Sequence, residues 1–407
     1  MTGLTRENRT MMKRSSGLAV LSRRRLLKTG AGGLAATLAM PAIVRAAEPI
    51  RVGVLQPFSG GLEVLGEQGA QGTEMALMEA NEAGGVLDGR MFEFIRADTK
   101  TDPKTAVEKV NELIRSQKVT AIVGPVTSAE RDAIQSTVER FKTPLLYATD
   151  YEGGVCSRYI TCYSALPAHW VAPLVPYAIE NVGKSFYLLG SDYVWPQKMN
   201  AAYKAETEKA GGTIVGEEYG AWGAKDYTPT LRKIESSGAD TVVITLVGAD
   251  AVTFVKQFAA SPLKGKVRLI FFGFSENYLS GLSEDESNGI VGSSNFVATL
   301  DKPEAKAFVA AVHKRFGDNA VVSNTVDAHH TLTRFFIEGV KKAGSDDKEK
   351  ITDAMVDQSL MSANGEVYLR ASDRHVDLNV LIVEAQGGQM RVLKDLGLVK
   401  APSQCPA

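Results

Sequence analysis

Short apolar segments alternate with amphipathic helical segments along most of this 407-residue chain, and that alternation limits the folds open to it more than any other feature. Ile50–Leu55 and Glu93–Ala97 read as strands separated by a helix from about Val64 to Ala83. The next helix has Asp102 at its N-cap and Pro103 at the first helical position, where a missing N–H costs nothing. Its apolar face is Ala106, Val107, Val110, Leu113 and Ile114, a 3.6-residue period. Thr120–Val123 and Pro144–Tyr147 are short buried strands with the helix Ser128–Phe141 between them. Such a run predicts a parallel sheet with right-handed crossovers. The pattern restarts after Tyr163, with strands at Ser185–Leu189, Thr213–Tyr219, Thr241–Leu246, Arg268–Phe272 and Ile290–Ala298.

The final stretch, roughly a hundred residues, has too few strands for a third sheet. Its helices, one of them Thr325–Lys342, are expected to return to the first unit, and Leu378–Val392 to extend the second. The expected fold is therefore α/β, two doubly wound parallel-sheet lobes joined by a hinge that the chain crosses three times, near 164–167, 295–298 and 364–370. Residues 47–165 plus 297–367 would form the N-terminal lobe, 166–296 plus 368–400 the C-terminal lobe, and 401–407 a mobile tail.

The N-terminus carries a separate message. Ser22-Arg23-Arg24-Arg25-Leu26-Leu27-Lys28 precedes a mildly apolar run, Thr29 to Val44, that closes in Val44-Arg45-Ala46. A basic head, an apolar middle and small residues before a cut form an export signal. The paired arginines, the glycine-diluted middle and Arg45 beside the cut look like the twin-arginine version. Residues 1–46 are thus expected to be a signal peptide removed near Ala46, which places the mature protein in the periplasm. Nine of the 46 bases and one of the 47 acids lie in that segment. The remainder has a net charge of about −9, a surface that repels phosphate backbones, so no nucleic-acid partner is expected. An oxidising compartment permits a disulfide, and Cys156 and Cys162 are the expected pair, with Cys405 left free.

Enzyme signatures are missing where they would stand. There is no phosphate-binding Gly-x4-Gly-Lys run, and the first strand ends in Gln56-Pro57-Phe58-Ser59-Gly60 rather than a dinucleotide glycine pattern. Gly273-Phe274-Ser275-Glu276-Asn277 lacks the closing glycine of a nucleophile elbow. His329 and His330 are adjacent and would point about 100° apart on a helix, which suits core packing better than a shared metal. No cofactor, metal or catalytic residue is expected. Chemistry gathers instead at the carboxyl ends of the strands, where open parallel sheets hold ligands. Gly124-Pro125-Val126-Thr127-Ser128 offers Thr127 or Ser128 as a helix cap and free N–H groups for a carboxylate or carbonyl oxygen. Tyr147-Ala148-Thr149-Asp150-Tyr151, Gly190-Ser191-Asp192-Tyr193-Val194-Trp195 and Gly273-Phe274-Ser275-Glu276 add hydroxyls, aromatic faces and acids.

These residues carry a resemblance. Arg51-Val52-Gly53-Val54-Leu55-Gln56-Pro57, the Asp98-Thr99-Lys100-Thr101-Asp102-Pro103 turn and Gly124-Pro125 are similar to the Leu/Ile/Val-binding family of type I periplasmic binding proteins, which feed ABC importers. Tyr151-Glu152-Gly153 before Cys156, Gly190-Ser191-Asp192-Tyr193 with Pro196, and Gly365-Glu366-Val367 to His375 resemble the urea and short-amide branch. The resemblance implies ligand contacts from Ser128, Tyr147 and Thr149 in one lobe and Tyr193, Gly248 and Glu276 in the other. It also implies hinge closure on a small polar solute, an ABC permease in the inner membrane as partner, and the twin-arginine machinery as exporter. Ala148 and Asp150 stand where that branch tends to have proline or valine, and Trp195 and Trp222 add bulk. An amino acid needs donors for its carboxylate and an acid, Glu276 or Asp150, for its ammonium; urea or an amide needs hydrogen bonds alone. The expectation is a binding component for an amino acid, amide or urea. Alternatives are an exported sensor signalling to a membrane receptor and, less favoured, a periplasmic amide hydrolase.

Overall fold

The computed structural model describes residues 48–405; the signal segment expected at 1–46 lies outside them. The first lobe is built from β1 (Ile50–Gln56), α1 (Glu63–Glu82), β2 (Phe92–Asp98), α2 (Pro103–Arg115), β3 (Ala121–Val123), α3 (Ser128–Arg140), β4 (Leu145–Tyr147) and β5 (Ile160–Cys162). Its sheet runs β2-β1-β3-β4-β5, parallel throughout. Strands buried on both faces read as unbroken apolar runs, and Ala121–Val123 and Leu145–Tyr147 are buried at every residue. Asp102 caps α2 as its position predicts, accepting from the Thr105 amide at 2.7 Å.

The second lobe follows with α4 (Pro167–Asn181), β6 (Ser185–Ser191), α5 (Val194–Lys209), β7 (Thr213–Gly220), α6 (Thr228–Ser237), β8 (Thr241–Thr245), α7 (Gly248–Ala259), β9 (Arg268–Phe271), the short α8 (Glu276–Leu279) and α9 (Glu284–Ser287), and β10 (Val291–Ser294). The chain then returns through α10 (Pro303–Phe316), α11 (Asn324–Ala343) and α12 (Lys348–Ala354). It ends in β11 (Gln358–Ser362), β12 (Gly365–Leu369), β13 (Val376–Gln386) and β14 (Gln389–Val399). The second sheet has the order β11-β12-β13-β10-β9-β8-β6-β7, with β14 paired to β13. Its core from β7 to β10 is parallel, and β11 to β14 extend it antiparallel.

Helix α11 lies on α1 of the first lobe, so close that a Cβ on Gly72 would stand 2.3 Å from the Val326 carbonyl oxygen. Beside it His329 is buried, with Nε2 3.0 Å from Gln56 Nε2 and Nδ1 2.9 Å from the Thr325 carbonyl. His330 pairs with Glu79 at 2.8 Å. Both histidines serve packing between elements.

Two boundaries and one disulfide pairing differ from the expectation. β11 and β12 belong to the second sheet, so the last passage between lobes comes between α12 and β11 and not at 364–370. The 401–405 segment is held rather than loose. The Gln404 amide donates to Asp373 at 2.9 Å, Gly154 donates to the Gln404 side chain at 2.8 Å, and Cys405 is bonded to Cys156. Cys156 and Cys162 are therefore not the pair. Cys162 sits in β5, fully buried against the core, where burial pushes its thiol up to about 12. The Cys156–Cys405 bond spans 249 residues and ties the loop after β4 to the end of the second sheet.

Side chains fasten segments near the crossings to the turn between β11 and β12. Asp327 of α11 accepts from the Tyr163 hydroxyl at 3.3 Å and from the Ala363 amide at 3.0 Å. Asn364 donates to the Asn295 carbonyl at 2.8 Å. The β11–β12 turn thus ties α11 to the segment that leaves β10, near the base of the gap between the lobes.

Candidate functional site

The gap between the lobes holds a cavity at the carboxyl ends of both sheets. Its first-lobe wall is made by the turn from β3 into α3 and the segment after β4. Thr127 is the N-cap of α3: its hydroxyl accepts the Glu130 amide at 3.1 Å while Glu130 accepts the Thr127 amide at 3.1 Å. The Arg131 amide goes to the Thr127 carbonyl. That leaves the amides of Ser128 and Ala129 without an acceptor among the described residues, at the positive end of the helix dipole.

Ser128 lines the cavity, but its hydroxyl donates to Glu152 at 2.7 Å. The group Ser128 leaves free on this wall is therefore its amide. Behind the wall, the buried Arg131 pairs with Glu152 at 3.2 Å. The Arg131 guanidinium lies 5.0 Å from the Tyr147 ring and 4.6 Å from the Tyr151 ring, two cation–π contacts in a water-poor setting.

The second-lobe wall is aromatic. Tyr193, at the N-cap of α5, packs its ring 6.5 Å from Trp195 and 5.4 Å from Trp222, which stands exposed at the rim. Phe272 and Tyr278 flank the end of β9, and Trp170 of α4 closes the floor. Val247 and Asn277 from the same lobe, and Leu65, Val126 and Thr325 from the other side, complete the lining. No lysine, arginine or histidine belongs to it. Counted as the space open to the centre of a water molecule, the cavity is about 60 Å³, several times what one water needs on that measure. A side chamber continues past Thr149 and Asp150 toward Asn295 and Asn324.

Of the expected ligand contacts, Ser128, Thr149 and Tyr193 come together on this cavity. Tyr147 does not: it is fully buried behind the wall, its hydroxyl donating to the Val126 carbonyl at 3.0 Å and so bracing the β3–α3 turn. Gly248 also lies outside the lining. Its amide donates to the Tyr278 hydroxyl at 3.3 Å, and the neighbouring Ala249 amide reaches Gly61 of the first lobe at 3.3 Å, a contact between the rims. At its φ of +58° a Cβ would meet the Gly61 carbonyl oxygen at 2.5 Å.

Glu276 is the third expected contact outside the lining. Ser275 caps α8, and this geometry turns the Glu276 side chain toward the chain leaving β10, where Oε1 accepts the Ala298 amide at 2.7 Å. Its Oε2 is buried with no partner. Burial, against which two backbone hydrogen bonds work, pushes its carboxyl up to about 7.

The acid that does face the cavity is Asp150. Its Oδ1 accepts the Ala165 amide at 3.0 Å, and burial pushes its carboxyl up to about 7. Burial likewise pushes the Tyr278 phenol up to about 12. The unexpected lining residues divide into two kinds. Phe272, Asn277 and Tyr278 follow a strand end that position alone singles out, whereas Trp170 and Thr325 sit on helices that only the hinge brings to the gap. Among the described residues no group of metal-ligating side chains gathers, and no helix is long and apolar enough to cross a membrane.

Residues 49–389 match the family described as periplasmic binding protein. The Leu/Ile/Val-binding protein homolog 6 of Brucella melitensis is 23% identical over 360 residues, covering 86% of this chain and 90% of the relative. Two solved structures show the same fold. A solute-binding protein of an ABC transporter from R. palustris, in complex with benzoate, superposes with a TM-score of 0.80 at 22% identity, over 88% of this chain and all (100%) of that one. The branched-chain amino acid transporter substrate-binding protein LivJ of Streptococcus pneumoniae, in complex with isoleucine, gives 0.77 at 21% identity, over 87% of this chain and 100% of that one.

Proposed function

This chain belongs to the periplasmic binding protein family, and on that premise we propose that it is the substrate-binding component of an ABC importer, capturing a small carboxylate between its lobes. The observation that carries the reading is the pairing of two unlike walls. The Ser128 and Ala129 amides, with the Thr149 hydroxyl beside them, suit an anionic oxygen cluster. The aromatic wall opposite suits a flat or branched apolar body. Relatives that bind benzoate and isoleucine support this division. Urea and short amides fit it less well, because neither would cover the aromatic surface.

Cargo touches both lobes only when the rims meet, so binding shifts the population toward the closed form. The closed form is the one the inner-membrane permease recognises. Export by the twin-arginine route and cleavage near Ala46 place the protein where such a partner operates.

The test is thermal unfolding of the purified protein, stripped of bound solute by unfolding and refolding. The panel holds aliphatic and aromatic amino acids, benzoates, urea and acetamide. A ligand at a hundred times its dissociation constant adds about 2.7 kcal/mol. A midpoint rise confined to carboxylates supports the reading; a rise with urea or acetamide alone, or with nothing, rejects it.

A further inference from the structure

We infer that Asp150 is the specificity-determining residue of the cleft, selecting a carboxylate cargo that also carries an ammonium over one of the same shape without it. The inference rests on the cleft being the cargo site and adds the second polar group of the cargo.

Asp150 stands beside Thr149, on the wall that presents the N-terminus of α3. Its Oδ1 is fixed by the Ala165 amide. Oδ2 has no donor among the described residues and lies 3.8 Å from where a Cβ on Gly273, in the opposite lobe, would stand. The free oxygen therefore faces the gap. Trp170 and Tyr278 come against this region from the second lobe, and Leu65 and Thr325 from α1 and α11. The other titratable groups on the lining are the phenols of Tyr193 and Tyr278, and there is no base.

A plain carboxylate entering this space adds a second negative charge where the chain supplies no countercharge. Either Asp150 must take up a proton or two anions must share a poorly hydrated cavity. An ammonium on the same cargo removes the difficulty, giving Oδ2 both donors and a countercharge in surroundings where an unpaired charge is strongly unfavourable. The polar ends of the cargo would then be read by separate groups of the same lobe, the carboxylate by the α3 amides and the nitrogen by Asp150. Its side chain would be left to the aromatic wall.

Titration calorimetry on the full, ligand-stripped protein tests this with matched pairs: L-leucine with 4-methylpentanoate, and L-phenylalanine with 3-phenylpropanoate. At about pH 8.5 the amino member of a pair should bind at least about tenfold tighter, and in Asp150→Asn the preference should shrink to about threefold or less. The wild type gives a second reading that needs no variant. Because burial holds the Asp150 carboxyl up at about 7, lowering the pH to about 5.5 should narrow the preference in the same direction. A deaminated analogue that binds as tightly as its partner, or a preference unmoved by both Asp150→Asn and pH, overturns the inference while leaving carboxylate capture standing. Failure of every carboxylate in the wider panel removes both.

Discussion

Replacing Glu276 by glutamine separates a structural acid from a ligand-binding one. The Glu276 carboxyl is raised from 4.5 to about 7 by burial. Each pKa unit corresponds to about 1.4 kcal/mol, so the ionised side chain costs the folded state about 3 kcal/mol. Below pH 4.5 the group is protonated in folded and unfolded chains alike, and nothing is lost. As the pH rises toward 7 the unfolded chain ionises first and stability falls; above 7 the loss is complete and constant. Glutamine keeps a carbonyl for the Ala298 amide but puts an NH2 where Oε2 now has no partner, and its second N–H, one donor more than the protonated carboxyl carries there, costs about 1–2 kcal/mol at every pH. The variant should therefore be the less stable protein near pH 4.5 and the more stable one near pH 8, by about 1–2 kcal/mol on each side. Thermal unfolding of both ligand-free proteins across that range measures the crossing. Unfolding midpoints that run parallel with pH would refute the argument, and so would a tenfold loss of cargo affinity in the variant.

Cys405→Ser should cost about 2–5 kcal/mol of stability and abolish the two-hydrogen mass gain that reduction is expected to give in the unsubstituted protein; an unchanged melting midpoint would show that the tail bears no load. Arg131→Met should destabilise by about 3–5 kcal/mol, because Glu152 is left buried and unpaired; urea denaturation reads this directly. Tyr193→Ala should weaken cargo binding by more than about tenfold while leaving unfolding nearly unchanged, and equal affinities in calorimetry would take Tyr193 out of the site.

The candidate site was legible where local chemistry settles orientation. A capping residue at a strand end fixes both the turn and the direction of its amides, so spacing alone marked the β3–α3 turn, with Thr127 or Ser128 as its cap, as a wall of the gap. Ser128, Thr149 and Tyr193 as individual contacts came from the family resemblance. Glu276 shows where that reasoning stops. In a helix as short as α8, one residue of phase decides whether Ser275, Glu276 or Asn277 faces the gap, and the cap at Ser275 gave that place to Asn277. Short strands were lost for a related reason. Ile160-Thr161-Cys162 is too brief to show a period, and its membership of the first sheet is decided by its partner, β4.

Apolar periodicity, capping residues and turn chemistry act over a few residues, and they determined the alternation of strands and helices and hence two parallel-sheet lobes. Everything that depends on distant segments meeting was decided by the tertiary structure. The tail reaches Cys156 because Gln404 is held between Asp373 and Gly154, although Cys162 is far nearer in sequence, with its thiol in the core. Trp170 and Thr325 enter the cleft because α4 and α11 pack at the hinge. Asp150 becomes the cavity's acid, and Glu276 a buried one outside it, because burial and aim belong to the assembled walls and not to the residues that form them.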